Sequence, residues 1–373
     1  MIILFGTNYR VGQTGHFAHI ALQRMGHTVI PFTAVKDAPE DWIVTGPDVD
    51  AVALFEQIGG KADAFFMVES STGSPFLPRR IEELCIPTAC WYYDNYLNFR
   101  WNKEVVALFD YGFFAQMGRV KQARSYGMGH VDWLPFAADE VFHRNFHMER
   151  DIDIGYLGTI TEQKNKYFSQ FEKCGLKVVT NERFYSFDEI GKFYSRCKVV
   201  YNILARRDLN VRAFEAPSAG AVCVNQGYID EGAHLIFKEG ETTMYHRFAD
   251  APEICRRLLS NPIELERMSQ KAEELVLTGH TYRHRMEKVL ESLARGVSNG
   301  RMGRRASFAA PVAESLTCGH RDFKWRDRAY EKLAEAFRRG PLGNVVSYLF
   351  RYAFWRIREK LEKLWWSLGK APV

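Results

Sequence analysis

Short apolar runs alternate with stretches of helical spacing along most of the chain. Residues 2–5 read Ile-Ile-Leu-Phe and stop at Gly6, which predicts a first buried strand. A glycine-containing loop, 6–15, follows. Residues 16–26 then place Phe17, Ile20, Ala21 and Leu22 on one helical face. Further strands are predicted at 28–32, 64–68, 88–93, 111–115 and 131–134. Strands separated by helical stretches imply a parallel sheet with crossover helices. Their continuous apolar character suits a sheet covered on both faces.

The pattern then restarts. Residues 142–151 are polar and read as a connector, with His143, Arg144, Asn145, His147 and Glu149. A second opening strand is predicted at 152–157, ending in Gly158-Thr159, and later strands at 177–180, 199–203 and 221–225. Helices are predicted at 253–259 and 262–277. The last part differs: 296–310 is a Gly/Arg/Ser-rich linker, 327–338 reads as a helix, and 345–368 as a long helix after Gly340-Pro341. The expected organisation is one βα half over 1–140, a second over 141–295, and a linker with a helical extension over 296–373.

Composition narrows the function classes. An aromatic content of 14% within 46% hydrophobic residues rules out a globally disordered chain. The 7 cysteines are odd in number, scattered and without a C-x-x-C pair, which argues against a disulfide framework and the usual zinc patterns. Reduced thiols in a cytoplasmic protein are expected. The first residues lack a basic leader region, and no apolar run approaches a membrane span. Charge is unevenly placed: from Gly296 onward there are 16 basic and 7 acidic residues, against 34 and 38 in the remainder. A mildly acidic body thus carries a basic extension suited to an anionic surface.

Several strand ends carry candidate chemistry. The loop Gly6-Thr7-Asn8-Tyr9-Arg10-Val11-Gly12-Gln13-Thr14-Gly15-His16 leads from strand to helix, yet it is neither a G-x-G-x-x-G nor a P-loop. His16 at the helix start would face the cleft above the carboxyl edge of the sheet and could take a proton from an acceptor hydroxyl. Trp91-Tyr92-Tyr93-Asp94 ends another strand; Trp91 and Tyr93 suggest a sugar-stacking wall and Asp94 a catalytic carboxylate. Asp151 and Asp153 flank Ile152 at an amino end, a poor place for a metal, and none is expected. The segment 201–220 is the richest. A strand ends at Asn202, a basic loop with Arg206 and Arg207 follows, and Arg212 and Glu215 lie three apart on one helical face. An arginine there can hold a diphosphate, and a glutamate can accept both hydroxyls of a ribose.

Asn202, Asn210-x-Arg212-x-Phe214-Glu215-Ala216-x-x-x-Gly220, Phe237-x-x-Gly240-Glu241 and His280-Thr281-Tyr282-x-x-Arg285-Met286 together resemble the C-terminal half of CgeB-like (spore maturation protein CgeB) glycosyltransferases. The resemblance is most specific over 150–290. It implies a GT-B fold, α/β, with two Rossmann-like domains facing a central cleft. It also implies a nucleotide diphosphate sugar, UDP- or GDP-linked, as donor substrate on the second domain, an acceptor on the first, and no metal or other cofactor. In that framework Glu215 contacts the donor ribose, Gly158-Thr159 forms the diphosphate turn with Lys164 nearby, and Gly15-His16 matches the Gly-His of inverting members. Arg207 stands where many relatives have a second glutamate.

The expected activity is therefore that of a hexosyl-type glycosyltransferase. Its catalytic candidates are His16, Asp94 and Arg207. Gly158, Thr159, Lys164, Asn202, Arg212 and Glu215 lie on the donor side, and Gly15, Trp91 and Tyr93 on the acceptor side. The acceptor would be a glycan, a lipid-linked glycan or a protein. Two alternatives remain open from sequence: a scaffold that kept the fold but lost catalysis, and a nucleic-acid-modifying glycosyltransferase. The oligomeric state is also open. In the extension, Val345, Leu349, Phe350, Phe354, Ile357, Leu361 and Trp365 recur at helical spacing beside Arg351, Arg356, Arg358, Lys360 and Lys363. Such an amphipathic helix suits peripheral attachment to an anionic inner membrane face. Each basic residue near such a surface contributes about 1 kcal/mol, screened by salt. The full chain is expected to sediment with anionic liposomes at low salt and leave them at high salt. A chain ending at Gly340 should stay in the supernatant in both.

Overall fold

A computed structural model describes residues 1–297 except 70–75, 95–98, 100–101, 104, 182–184, 204–207 and 228–231. The extension over 298–373, with its expected basic helix, therefore lies outside the described residues, as do Arg206 and Arg207.

The first part contains β1 (Ile2–Gly6), α1 (Thr14–Arg24), β2 (Thr28–Thr33), β3 (Ile43–Val44), α2 (Ala51–Gln57), β4 (Ala64–Val68), β5 (Thr88–Tyr92), β6 (Tyr111–Phe114), α3 (Met117–Ser125) and β7 (Val131–Trp133). The second contains β8 (Ile152–Gly155), α4 (Glu162–Lys173), β9 (Val178–Val179), α5 (Phe187–Arg196), β10 (Cys197–Asn202), α6 (Arg212–Ser218), β11 (Val222–Gln226), α7 (Ala233–Ile236), β12 (Met244–His246), α8 (Ala251–Ser260), α9 (Pro262–Gly279) and α10 (Tyr282–Leu293). The strands form two parallel sheets, ordered β3-β2-β1-β4-β5-β6-β7 and β12-β11-β10-β8-β9. Both are doubly wound α/β sheets, and the order reverses beside β1 in one and beside β8 in the other. Ligands of such sheets bind outside the carboxyl ends of the strands at these reversal points.

Alternation along the buried strands sorts the side chains. Ala64, Phe66 and Val68 of β4 join one core layer, while Phe65 and Met67 join the other. The first layer also takes in Leu209, Ala213, Phe214 and Phe237 from the second lobe, so the two lobes share an apolar seam. The amide of buried Gln116 spans it, accepting from Leu209 N at 2.9 Å and donating to Leu209 O at 3.1 Å. The strands missed by the sequence pattern, β3 and β12, are 2 and 3 residues long, too short for a periodic or continuous apolar signal to stand out.

The chain crosses between lobes at 134–150 and again at 279–282. The two crossings touch: Ala138 N donates to His280 O at 3.2 Å, and Tyr282 N to Ala138 O at 2.9 Å. After the second crossing α10 lies on the first lobe. Lys288 Nζ donates to Trp133 O at 2.8 Å, and Tyr111 Oη to Gly296 O at 2.8 Å. Arg285, 6% exposed, locks the crossing. Its guanidinium donates to Pro135 O at 2.8 Å, Phe136 O at 2.9 Å, Gly279 O at 3.3 Å and His280 Nδ1 at 3.0 Å. Burial pulls the Arg285 pKa down to about 10, which leaves it a cation at neutral pH. Burial and then the Arg285 charge pull His280 down to about 4, so it stays neutral and offers a lone pair.

Removing Arg285 would orphan four acceptors at once. Arg285→Met is expected to lower the free energy of unfolding by about 3 kcal/mol or more, read from urea denaturation. Arg285→Lys should recover only part of it, because an ammonium cannot reproduce the planar fork. A loss below about 1 kcal/mol in Arg285→Met would show that the crossing does not depend on this side chain.

Candidate functional site

The carboxyl edge of the second sheet gathers charge around one phenol. Tyr156, fully buried, follows β8. The Arg212 guanidinium carbon lies 4.5 Å from its ring centroid and the Lys164 ammonium 5.3 Å. Lys164 Nζ donates to Tyr156 Oη and to Thr159 O, both at 2.7 Å. Arg212 donates through Nη1 to Asn202 Oδ1 at 2.7 Å and through Nη2 to Leu157 O. Neither cation has a carboxylate in ion-pair range among the described residues. Two positive charges at one ring are thus held by neutral acceptors alone.

Asn202 serves this arrangement indirectly. It is buried at the end of β10 and donates to Asn210 Oδ1 at 2.9 Å and Asn225 Oδ1 at 2.7 Å. Asn225 in turn donates to Thr243 Oγ1 at 2.9 Å. The network fixes the oxygen that receives Arg212. Gly158 adopts a φ of 143°, in the region that favours glycine, and a Cβ there would lie 2.6 Å from Arg212 Nη2. Within the turn that the resemblance puts at a diphosphate, the Gly158 N–H donates to Asn181 Oδ1 at 3.1 Å and Asn181 Nδ2 donates back to Gly158 O at 3.1 Å. The turn also makes room for Arg212.

Glu215, one turn beyond Arg212 on α6, is 7% exposed. Neither of its oxygens has a hydrogen-bond partner among the described residues. A carboxylate so nearly enclosed and so poorly satisfied is costly unless something else meets it.

The acceptor side needs more revision. Trp91 and Tyr93 share the parity of Ala89 on β5 and point into the core layer beneath α1 and α10. Trp91 is fully buried and donates from Nε1 to Leu134 O at 2.8 Å; Tyr93, 4% exposed, packs on Phe136. Neither offers a ring face to a sugar. Gly15 is likewise a packing residue: a Cβ there would meet Thr7 Oγ1 at 2.5 Å. Asp94 does sit at the carboxyl end of β5, where its N–H donates to Glu69 Oε2 at 2.8 Å. Asp151 and Asp153 are engaged outward by Arg196 Nε at 2.8 Å and Lys198 Nζ at 2.7 Å.

His16 stands at the reversal point of the first sheet, its ring edge-on to Tyr9 and to Phe187 of the second lobe, centroids 5.8 and 5.3 Å away. Its Nδ1 accepts from Gly12 N at 3.2 Å. In the neutral ring that bond puts the proton on Nε2. A general base needs a free lone pair toward the acceptor; with Nδ1 engaged by Gly12, the neutral ring presents a donor at Nε2. Sequence reading also passed over Tyr156, Asn181, Asn225, Gln116 and the buried His143. Only Asn225 had a usable signal, a polar residue closing an apolar strand as Asn202 does.

Two lobes of this topology meeting across a cleft define the GT-B fold. Comparison with solved structures agrees: the chain is similar to sucrose-phosphate synthase from Thermosynechococcus elongatus at 11% identity and a TM-score of 0.55, covering 79% of this chain and 99% of that one. It is also similar to Anabaena Alr3699/HepE in complex with UDP, at 12% identity and a TM-score of 0.56, covering 79% and 100%. A third likeness is to a DNA-modifying β-glucosyltransferase studied with and without uridine diphosphoglucose, at 11% identity and a TM-score of 0.52, covering 79% and 99%. Residues 147–291 match the protein family described as glycosyl transferase-like. No curated protein is matched by sequence.

The state of His16 can be read directly. Burial lowers its pKa below the usual 6.5, the Asp139 carboxylate opposing and the Arg24 cation adding to the effect. Nitrogen-15 NMR of the imidazoles is expected to show the proton on Nε2 at pH 7 and a titration midpoint below 6.5. A proton on Nδ1 would restore the base assignment.

Proposed function

We propose that this protein transfers a sugar from a nucleotide diphosphate sugar to a hydroxyl acceptor, as a hexosyl-type glycosyltransferase. The observation that carries this reading is the pair of cations, Arg212 and Lys164, held at Tyr156 without a carboxylate partner among the described residues and one turn from Glu215. A diphosphate supplies the missing negative charge, and the vicinal hydroxyls of a ribose supply the donors that Glu215 lacks.

The reaction breaks the bond between the anomeric carbon and the diphosphate oxygen, and the leaving group keeps the electron pair. Fixed cations at that oxygen stabilise the charge as it develops. A divalent ion placed beside Arg212 and Lys164 would be repelled by both, so the proposed transfer proceeds without a metal. The acceptor oxygen forms the new bond from the first lobe. There His16 orients it through Nε2–H and the Asp94 carboxylate takes its proton. Arg207 adds a third positive charge in sequence, outside the described residues. Closure of the lobes would keep water from the donor. The finer resemblance to CgeB-like enzymes favours UDP or GDP donors, with a glycan, a lipid-linked glycan or a protein as acceptor.

Calorimetry with uridine and guanosine diphosphate, followed by transfer assays with their sugars, tests the reading. One nucleoside diphosphate should bind equally well in excess chelator. Lys164→Ala and Glu215→Ala should each weaken it about tenfold, since a hydrogen bond to a charged group contributes about 1.5–3 kcal/mol. Both variants should melt within a few degrees of wild type. No binding to wild type would sink the proposal, and binding without transfer or hydrolysis would make the protein a nucleotide-sugar binder instead.

A further inference from the structure

The connector between the lobes hides a histidine that the proposed reaction does not use. His143 is fully buried. The chain folds back at 139–143, where His143 N donates to Asp139 O at 2.9 Å and Asp139 N donates to His143 Nδ1 at 3.0 Å. The Asp139 side chain holds this turn, accepting from Val141 N and Phe142 N at 2.9 and 3.0 Å and from Arg24 Nη1 at 2.8 Å. The first lobe presses Phe17 edge-on against the imidazole, centroids 5.0 Å apart. From the second lobe, α5 packs so closely that a Cβ on Gly191 would fall 2.1 Å from Phe142 O. The ring is confined from both sides.

That confinement fixes which atom the ring offers. The Asp139 N–H occupies the lone pair of Nδ1, so the proton of the neutral ring sits on Nε2. Nε2 is sealed from solvent and has no hydrogen-bond partner among the described residues, yet it lies 3.4 Å from Glu215 Oε1. A buried N–H left unspent costs stability unless an acceptor comes to it. The acceptor in reach is a carboxylate that is itself almost enclosed and without hydrogen bonds among the described residues.

We infer that His143 is a positioning residue for Glu215, its Nε2–H drawing one carboxylate oxygen inward and turning the group toward the ribose hydroxyls of a bound nucleotide. The inference rests on the donor-site reading given above. It adds that the carboxylate is aimed from the interlobe connector rather than by its own helix. Selectivity for ribose over a sugar lacking hydroxyls then depends on a residue that never touches the nucleotide.

The test compares uridine and guanosine diphosphate with their 2′,3′-dideoxy counterparts in calorimetry on the full chain. Wild type should prefer the ribose form about tenfold or more. Glu215→Gln and His143→Phe should each cut that preference to about threefold or less and leave affinity for the dideoxy form unchanged. His143→Gln, which keeps an N–H near Nε2, should restore part of it. A folded His143→Phe that keeps the wild-type preference overturns the inference while leaving Glu215 in place. Wild type without any preference overturns the donor-site reading as well. Should His143→Phe not fold, NMR on the wild type decides. The His143 Nε2–H resonance should move when the ribose nucleotide binds and stay when the dideoxy form binds, and a resonance indifferent to both refutes the role.

Discussion

A guanidinium buried where the chain crosses twice between lobes is the constraint on which the rest of this structure hangs. Among the described residues Arg285 has no carboxylate beside it; main-chain carbonyls of 135, 136 and 279 and a neutral imidazole take its hydrogen bonds. Burying a cation in this way is tolerable only with such complete satisfaction. The acceptors come from both crossings, so the cation welds two segments that sequence separates by about 140 residues. The site lies downstream of that weld. Asp139 and His143 stand on the first crossing, and Tyr282, which opens α10, packs on Phe17 of α1.

The parts of the fold that were legible in sequence are those where burial writes a strong pattern. The runs at 64–68 and 88–92 are almost wholly apolar because both faces of the sheet are covered; the sequence limits match the first and overrun the second by one residue, Tyr93. Helices α3 and α4 are polar over most of their surface and touch the core through few residues, Val120 and Ala123 in one and Phe168 and Phe171 in the other. Their apolar positions are correspondingly few and easily lost among polar neighbours. The return of α10 to the first lobe had no local signature at all, since nothing in residues 282–293 says which lobe they cover.

The site was legible by residue type and less so by role. Arg212 and Lys164 meet at Tyr156, and Glu215 lies one turn beyond Arg212 on α6. The aromatic residues at the end of β5 offer no ring face to a sugar, because strand parity decides which face a side chain takes, and Trp91 and Tyr93 fall on the covered one. His16 stands in the first turn of α1, and its tautomer is set by a main-chain N–H four residues away, which no motif records. Neutral amides do much of the positioning. Asn202, Asn210 and Asn225 form a small polar lattice in an otherwise apolar setting, and such a lattice is stable only when its members are all paired.

The order of the elements makes the second lobe an insertion in the first. The chain starts in the first lobe at β1 and returns to it with α10, just beyond which Tyr111 Oη donates to Gly296 O. Among the described residues the second lobe is therefore joined to the first by two neighbouring connectors, 134–150 and 279–282. Any motion of one lobe against the other must bend both connectors together, so a hinge and the Arg285 cluster would share one place.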